Sequence, residues 1–520
     1  MVNMPNTDPF AYLNFDCTSR ILSSLDTQNL VSCERVSKGW HTLVRGWISE
    51  WGWRRHFPHE QDYDLDQRSG DGIQRFKYLA GRECNLKHGR AGSVHMFLKV
   101  YHFLTIAGDY AVWLYGPQLH FQRLGVKEDG SLYDPQVLPL TVTRCWVLDT
   151  LLVNEEGYLV WQSMGDDPEI MECTLHVFSL PECREVLTIN HVRKQVPGKE
   201  GSRPTRSAVA VGRRRIYAID NIENSCCLLL AYDLFSGQQC YVRRVSDYIP
   251  DLLETGCSAF RVLRGGDPEL LLWLLCPPQG SALTIINGER GDQLQAITGD
   301  FRTPPSPPLG ESEFEHFEKT PTIHVHPRRK EFALSWQYWP LPSGLIQPQK
   351  FCAHVFSLSS DGMFHGGQPA LLLPRGNCRS GGIAIDPFRS LAAVFALNSG
   401  IPHVQTLGPA PVEYLQEEDA LLKGWSGEVY VPEQSHEITL PPLSRGQNRR
   451  QFEYPIPEPW GCVGHGIRFV DGDRVLFEVK SECSSHWHLF DFTPGIVQWD
   501  GLQGRIVSEE KKQRIRCCLP

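Results

Sequence analysis

The sequence predicts an α plus all-β multidomain chain: a short three-helix module followed by a β-propeller-like body of about seven blades. Between residues 13 and 44 apolar side chains recur at helical spacing, broken by one turn. From about residue 97 the texture changes to runs of roughly four to eight residues rich in Val, Ile, Leu, Phe, Tyr and Trp, separated by Gly, Pro, Asp and Asn. One strand phrase also returns several times along that body. At 520 residues, with 41% hydrophobic and 21% charged residues, the chain has the composition of a soluble globular protein with room for several domains.

The helical front end is read in order. Leu13 and Phe15 precede a first helix whose inward stripe is Cys17, Ile21, Leu22 and Leu25. Asp26 offers a side-chain oxygen to cap a second helix carrying Leu30, Val31 and Cys33. The stripe then continues through Val36, Trp40, Leu43 or Val44, and Trp47, so a third helix is expected to run on with little interruption. Gly39 weakens that helix by up to about 1 kcal/mol against alanine and marks a close backbone approach or a break. A segment this short cannot bury all of that apolar surface by itself, so a partner is expected to cover it.

The order Leu13, Phe15, Ile21, Leu22, Leu25, Asp26, Leu30, Val36, Lys38, Trp40, Leu43 resembles the F-box, whose usual pattern is L-P-x-E-[IV]-L-x-x-I-x-x-x-L-x-x-x-D-L followed by V-[CS]-K-x-W. The resemblance covers about the first tenth of the chain. Asn14 stands where the family usually has proline, and Asn29 replaces the common aspartate before Leu30. The resemblance implies a substrate-selecting subunit of a Skp/cullin/F-box ubiquitin ligase. Leu13, Phe15, Ile21, Leu22, Leu25, Leu30, Val36, Trp40 and Leu43 would then bind the Skp-type adaptor, and through it a cullin/RING ligase, while the remainder holds an unknown protein substrate. It also implies that WISEWGWRRHFP, at residues 47–58, is a helical linker in which Trp47, Trp51 and Trp53 fix the box to the next domain.

Four regions follow: 1–46, the F-box; 47–96, the linker; 97–505, the propeller-like recognition domain; and 506–520, an exposed basic tail. Within the body RCWVLDTLLVNEEGYLVWQ and CTLHVFSLPECREVLTI read as paired strands with a hairpin at Glu155-Glu156-Gly157, close to a four-stranded blade. Similar third strands recur at 175–180, 228–237, 283–291, 353–358 and 488–495. Candidate blades at about 98–140, 143–190, 207–245, 258–298, 321–365, 381–430 and 463–500 make seven. Polar or proline-rich excursions such as RKQVPGKEGSRPTR and TPPSPPLG are loops that blades can extrude. The only Trp-Asp pair is Trp499-Asp500, so the WD-repeat signature is missing.

A formal net charge of -9 argues against nucleic-acid binding as the main purpose. No secretory signal is visible at the N-terminus, and the richest apolar run, Leu270 to Cys276, is too short for a bilayer. With 17 cysteines and no C-x-x-C pair, free thiols in a reducing cytoplasmic or nuclear compartment are expected. No G-x-S-x-G, G-x-x-x-x-G-K-[ST] or H-E-x-x-H motif occurs, and no cofactor is implied. His324 with His326, and His486 with His488 near Cys483, are zinc-compatible pairs lacking further ligands at metal spacing, so no metal site is assigned. The tail KKQRIRCCLP places Cys517 and Cys518 after basic residues; proline is a poor last residue for prenyl transfer, which leaves palmitoylation as the lipidation to consider. A propeller enzyme with its site in the central mouth is the rival from another class.

Overall fold

The structure is a computed structural model. It describes residues 10, 12–57, 72–98, 104–115, 118–124, 133–141, 151–164, 172–192, 208–222, 226–246, 258–263, 268–275, 281–299, 316–317, 322–326, 329–339, 350–375, 382–395, 402–411, 427–439, 465–470, 474–480 and 485–493. The tail with Cys517 and Cys518, Cys483, and the proline-rich loop at 303–310 lie outside these residues.

Helices α1 (Phe15–Ser24), α2 (Thr27–Cys33) and α3 (Lys38–Trp47) lead into a π-helical turn at Ile48–Gly52, a one-turn α4 (Trp53–His56) and a longer α5 (Gly72–Lys87). Each of the first three starts on a side chain that satisfies a free backbone N–H. Asn14 Oδ1 accepts from Cys17 N at 2.9 Å, Asp26 Oδ1 from Asn29 N at 2.7 Å, and Ser37 Oγ from Trp40 N at 3.1 Å. Asn14, where the family pattern has proline, therefore has its own reason to be there. The expected run-on of the second helix into the third is corrected: a turn at 34–36 and the Ser37 cap separate them. Gly39 lies exposed in the first turn of α3.

Among the described residues all remaining elements are strands. After α5, β1 (Ser93–Leu98) opens the sheet region within the stretch expected to be linker. Four four-stranded antiparallel sheets follow in chain order: β2–β5 (Leu104–Ala107, Tyr110–Tyr115, Gln118–Arg123, Gln136–Thr141); β6–β9 (Leu152–Val153, Tyr158–Met164, Glu172–Ser179, Arg184–Val192); β10–β13 (Ala208–Val211, Arg215–Ile222, Cys226–Asp233, Gln239–Ser246); and β14–β17 (Ser258–Leu263, Leu270–Leu275, Ser281–Asn287, Gln293–Gly299). A fifth is built from β28–β30 (His465–Val470, Arg474–Lys480, Ser485–Asp491) with β1 as its fourth strand, Ser93 opposite Asp491 and Leu98 opposite His486. That pairing ties strands nearly four hundred residues apart and places β1 as the outer strand of the fifth sheet.

Among the described residues there are five blades, and the expectation of seven is corrected. Between the fourth and fifth blades lie β18–β23 (His316–Phe317, Thr322–Val325, Glu331–Trp339, Lys350–Leu358, Phe364–Gly366, Ala370–Leu372) and β24–β27 (Ile383–Asp386, Leu391–Phe395, Pro402–Pro409, Glu428–Glu437). These form one ten-stranded sheet, because β23 pairs in parallel with β27, Ala370 opposite Glu428 and Leu372 opposite Tyr430. The two halves of this sheet pack on each other through Phe351, Leu372, Ile383, Ile385 and Val394.

Several hydrophobic clusters are seams between successive sheets, as face-to-face packing of two-sided buried strands requires. Val112 and Phe121 of the first blade meet Leu159 and Phe178 of the second. Val177 meets Ile216 and Leu230; Tyr217 and Ile219 meet Trp273 and Ile286; and Phe97 meets Trp113 to bring the fifth blade against the first. The short turns after the first strands are also stitched together. Arg474 Nη2 donates to Gly108 O at 2.7 Å, Asn154 Nδ2 to Gly212 O at 3.0 Å, and Arg213 N to Glu269 Oε1 at 2.5 Å. Gly212 permits the last contact, since a Cβ there would sit 2.1 Å from the Glu269 carboxylate.

The helical module joins the sheets through α5. Its C-terminus closes with Gly89 N donating to Leu86 O and Arg90 N to Asn85 O, with Gly89 at φ +63, the left-handed cap that glycine adopts readily. A Cβ on Gly89 would meet Glu437 O at 2.6 Å. Ala91 N donates to Thr439 O, Thr439 N to Gly89 O, and Asn85 Nδ2 to Phe492 O, while Leu86 and Ala91 enter the core that holds Phe395, Phe477 and Phe490.

His95 on the closing strand β1 is buried, and its Nδ1 has no hydrogen-bond partner among the described residues. Burial lowers its pKa from 6.5 to about 4; Asp491 opposes this shift and Arg474 reinforces it. Between those values the unfolded chain binds the proton and the folded chain does not, so the contribution is intact above about 6.5 and is lost as pH falls towards 4. Thermal or urea unfolding at pH 7 and pH 5 is expected to show the wild type losing about 2 kcal/mol more than a His95→Gln variant over that interval.

Candidate functional site

The N-terminal helices build a core of their own and leave several large apolar side chains uncovered. Leu22, Leu30, Val44, Trp47, Ile48 and Trp53 pack with Ile73, Phe76 and Leu79 of α5. Phe76 sits within an aromatic group, its ring centroid 5.5 Å from Trp53, 5.2 Å from Phe57 and 6.1 Å from His56. Polar contacts fix the same arrangement: Trp47 Nε1 donates to Ser19 Oγ at 3.0 Å, Thr27 Oγ1 to Glu83 Oε2 at 3.3 Å, and Lys77 pairs with the buried Glu34 carboxylate.

Among the described residues twelve large apolar side chains are exposed, and five of them fall between residues 12 and 36: Tyr12 (75%), Leu13 (38%), Phe15 (58%), Ile21 (41%) and Val36 (61%). Such a concentration in one short stretch separates them from the scattered single apolar residues of any surface. In α1 the buried positions Thr18 and Leu22 define the inward line, and Ile21 lies roughly 100° round the helix from Leu22, on its flank. Leu25, Trp40 and Leu43 are half-buried, Trp40 meeting Phe10 edge-on at 4.3 Å between ring centroids.

The nine residues expected at a docking face therefore divide. Leu13, Phe15, Ile21 and Val36 are open; Leu25, Trp40 and Leu43 are half-buried. Leu22 and Leu30, expected among the adaptor contacts, are completely buried in the core that Ile73, Phe76 and Leu79 of α5 share. Cys17, expected inside, is exposed, as is Trp51 at 47%, whereas Trp47 and Trp53 do fix the module to α5. The open face is not sealed against the blades.

A second feature is a cavity of about 530 Å³ lined by the first strands of four consecutive blades, β2, β6, β10 and β14, with Arg468 of β28. Its lining includes Glu155, Glu156 and Glu269. Arg213 reaches Glu155 at 3.8 Å and Glu156 at 3.4 Å, and Tyr217 OH donates to Glu269 Oε2 at 2.8 Å. Burial, the largest effect, raises the Glu156 pKa, while its own backbone hydrogen bond and Arg213 act in the other direction. On a separate sheet face, Ser163 Oγ lies 2.7 Å from His176 Nε2, and His176 Nδ1 lies 3.0 Å from Glu185, with the imidazole stacked on Trp161. None of these three lines the cavity.

No group of three or more His, Cys, Asp or Glu side chains able to hold a metal occurs among the described residues. His324 Nε2 is 2.7 Å from Ser335 Oγ, and His326 packs edge-on to Phe388. Among the described residues no helix is long and apolar enough to cross a membrane.

A short helical module with an open apolar face, mounted on a β-propeller-like body, defines a chain built to dock. Residues 11–49 match the F-box domain family, and the chain is accordingly an F-box domain followed by a β-propeller-like fold. F-box domains typically bind Skp-type adaptors, and F-box proteins are generally non-catalytic. No curated protein matches the chain. Among solved structures it is similar to hydrazine synthase of Kuenenia stuttgartiensis, at 12% identity over 76% of this chain and 96% of that one, with a TM-score of 0.39. It is similar also to the Dos1 propeller, at 11% identity over 78% and 95%, with a TM-score of 0.39. A chain of the mitotic checkpoint complex aligns at 6% identity over 76% and 90%, with a TM-score of 0.34.

The division of buried from open residues has a direct test. Leu30→Ala is expected to lower stability by about 2–5 kcal/mol, as loss of a fully buried leucine does. Val36→Asp is expected to change it by no more than about 0.5 kcal/mol, the usual range for a free surface position. Chemical denaturation of both variants provides the comparison.

Proposed function

We propose that this chain is the substrate-recognition subunit of a Skp/cullin/F-box ubiquitin ligase. Leu13, Phe15, Ile21 and Val36 contact the adaptor, bordered by Leu25, Trp40 and Leu43 and supported by Leu22 and Leu30. The propeller-like body holds the protein to be modified. The single observation that carries this reading is the open apolar face within the F-box segment, attached through α5 to the body. Aromatic and branched apolar side chains on an otherwise polar helical surface are the anchors that a partner's pockets bury.

In this role the chain performs no bond chemistry. It raises the effective concentration of a target lysine beside the ligase's catalytic partners, and a firm mount makes that concentration high. The rival reading, a propeller enzyme, has the carboxylates lining the cavity in its favour. Those groups already serve as ties between blades: Glu155 and Glu156 hold Arg213, and Glu269 accepts from Tyr217 and from the Arg213 backbone. A scaffold that binds the adaptor and recruits no cullin is the other alternative.

Affinity purification of the wild type beside an Ile21→Asp, Val36→Asp double variant tests the proposal. Adaptor and cullin are expected with the wild type and absent with the variant, while proteins held by the blades are retained by both. Adaptor retained by the folded variant contradicts the assignment, and adaptor recovered without cullin favours the scaffold.

A further inference from the structure

The register of the second blade draws three polar side chains into one line. Ser163 of β7 lies opposite Thr174, and His176 of β8 lies opposite Trp161 on one side and Thr188 on the other, so these residues share a sheet face. Glu185 of β9 joins them through a bulge. The pairing slips between Val177 and Phe178, so that Glu185 stands opposite Phe178 in the place Val186 would take in an unbroken ladder. Ser163 Oγ is thereby 2.7 Å from His176 Nε2, and His176 Nδ1 is 3.0 Å from Glu185 Oε1. The imidazole lies flat on Trp161, with ring centroids 4.9 Å apart and planes within 6°.

The fold alone does not require this trio. The third and fourth blades carry the same slip, and the register positions equivalent to Ser163, His176 and Glu185 are Asp220, Leu230 and Gln239 in one and Leu275, Thr284 and Gln293 in the other. A blade closes without it. Ser163 and His176 are only half-buried and Glu185 is exposed, so small molecules can reach the serine from solvent.

The polarity of the contacts is that of a general base holding a nucleophile. With the imidazole neutral, the Glu185 carboxylate can only accept, which keeps the proton on Nδ1 and leaves Nε2 to accept from the Ser163 hydroxyl. Thr174, opposite Ser163, donates to Asn190 Oδ1 at 3.4 Å, a long bond that it can exchange for one to a developing oxyanion.

We propose that Ser163 is a nucleophile that takes the acyl group of a small activated ester and passes it to water, with His176 as general base and Glu185 as its positioning residue. The Ser163 Oγ–C bond forms as the ester C–O bond breaks, and the serine proton goes to His176 Nε2 and then to the leaving oxygen. Water next attacks the acyl-serine and gives a proton to Nε2, which returns it to Ser163 Oγ as the acid departs. The trio lies outside the central cavity on an open sheet face, which suits small acyl groups. This activity is independent of adaptor docking.

The test treats the purified full-length chain with a fluorophosphonate, which loses fluoride on forming a stable serine Oγ–P bond, and separately with p-nitrophenyl acetate. A single phosphonyl adduct mapped to Ser163 by peptide mass, and sustained release of nitrophenolate, are expected. Ser163→Ala is expected to abolish both, and His176→Asn to slow both about hundredfold or more. Glu185→Gln is expected to slow them about tenfold or more and to change the shape of the pH–rate profile, which loss of a merely structural contact leaves alone. An unlabelled Ser163 in the folded wild type overturns the proposal, as does undiminished labelling of His176→Asn. An adduct without ester turnover overturns the transfer to water. Ser163→Ala is expected to keep adaptor capture, so this inference and the docking role fail separately.

Discussion

One helix, α5, belongs to two cores, and the rest of the structure depends on that. Its first half supplies Ile73, Phe76 and Leu79 to the F-box interior, and its end supplies Leu86 to the seam that holds Phe395, Phe477 and Phe490. At about 1.5 Å per residue its sixteen residues span roughly 24 Å, so it acts as a strut with both ends embedded. The Gly89 cap and the hydrogen bonds between Ala91, Thr439 and Gly89 fix the exit of the chain into β1. The F-box core is thereby held at a set distance from the blades, and under the proposed role that fixed geometry is what a proximity device requires.

The same helix explains why the apolar face remains open. Three helices of seven to ten residues have more apolar surface than they can bury among themselves. Helix α5 takes up the inward side, covering Leu22 and Leu30, and leaves Phe15, Ile21 and Val36 on the outside. Stability and docking thus use different residues of one amphipathic segment, and substitutions can separate them.

Local features were legible in the sequence where local chemistry sets them. The Asp26 cap, the hairpin at Glu155 to Gly157, and the recurring third strands β8, β12, β16 and β30 all follow from neighbouring residues. What failed was long-range. Periodicity finds an apolar stripe without saying which partner fills it, so Leu22 and Leu30 looked like docking residues until α5, some forty residues onward, was in place. The parallel pairing of β23 with β27 and the closure of β30 by β1 leave no local pattern, and so the blade count was overread.

Hydrogen exchange along α5 in the isolated protein tests most directly whether it joins the two cores. Amides from Ile73 through Leu86 are expected to be protected to a similar degree at both ends, and to open together with the strands of the fifth blade. Protection confined to the end around Leu86, with residues 73–80 exchanging like a frayed helix, would contradict the account by showing the F-box as a loosely tethered module.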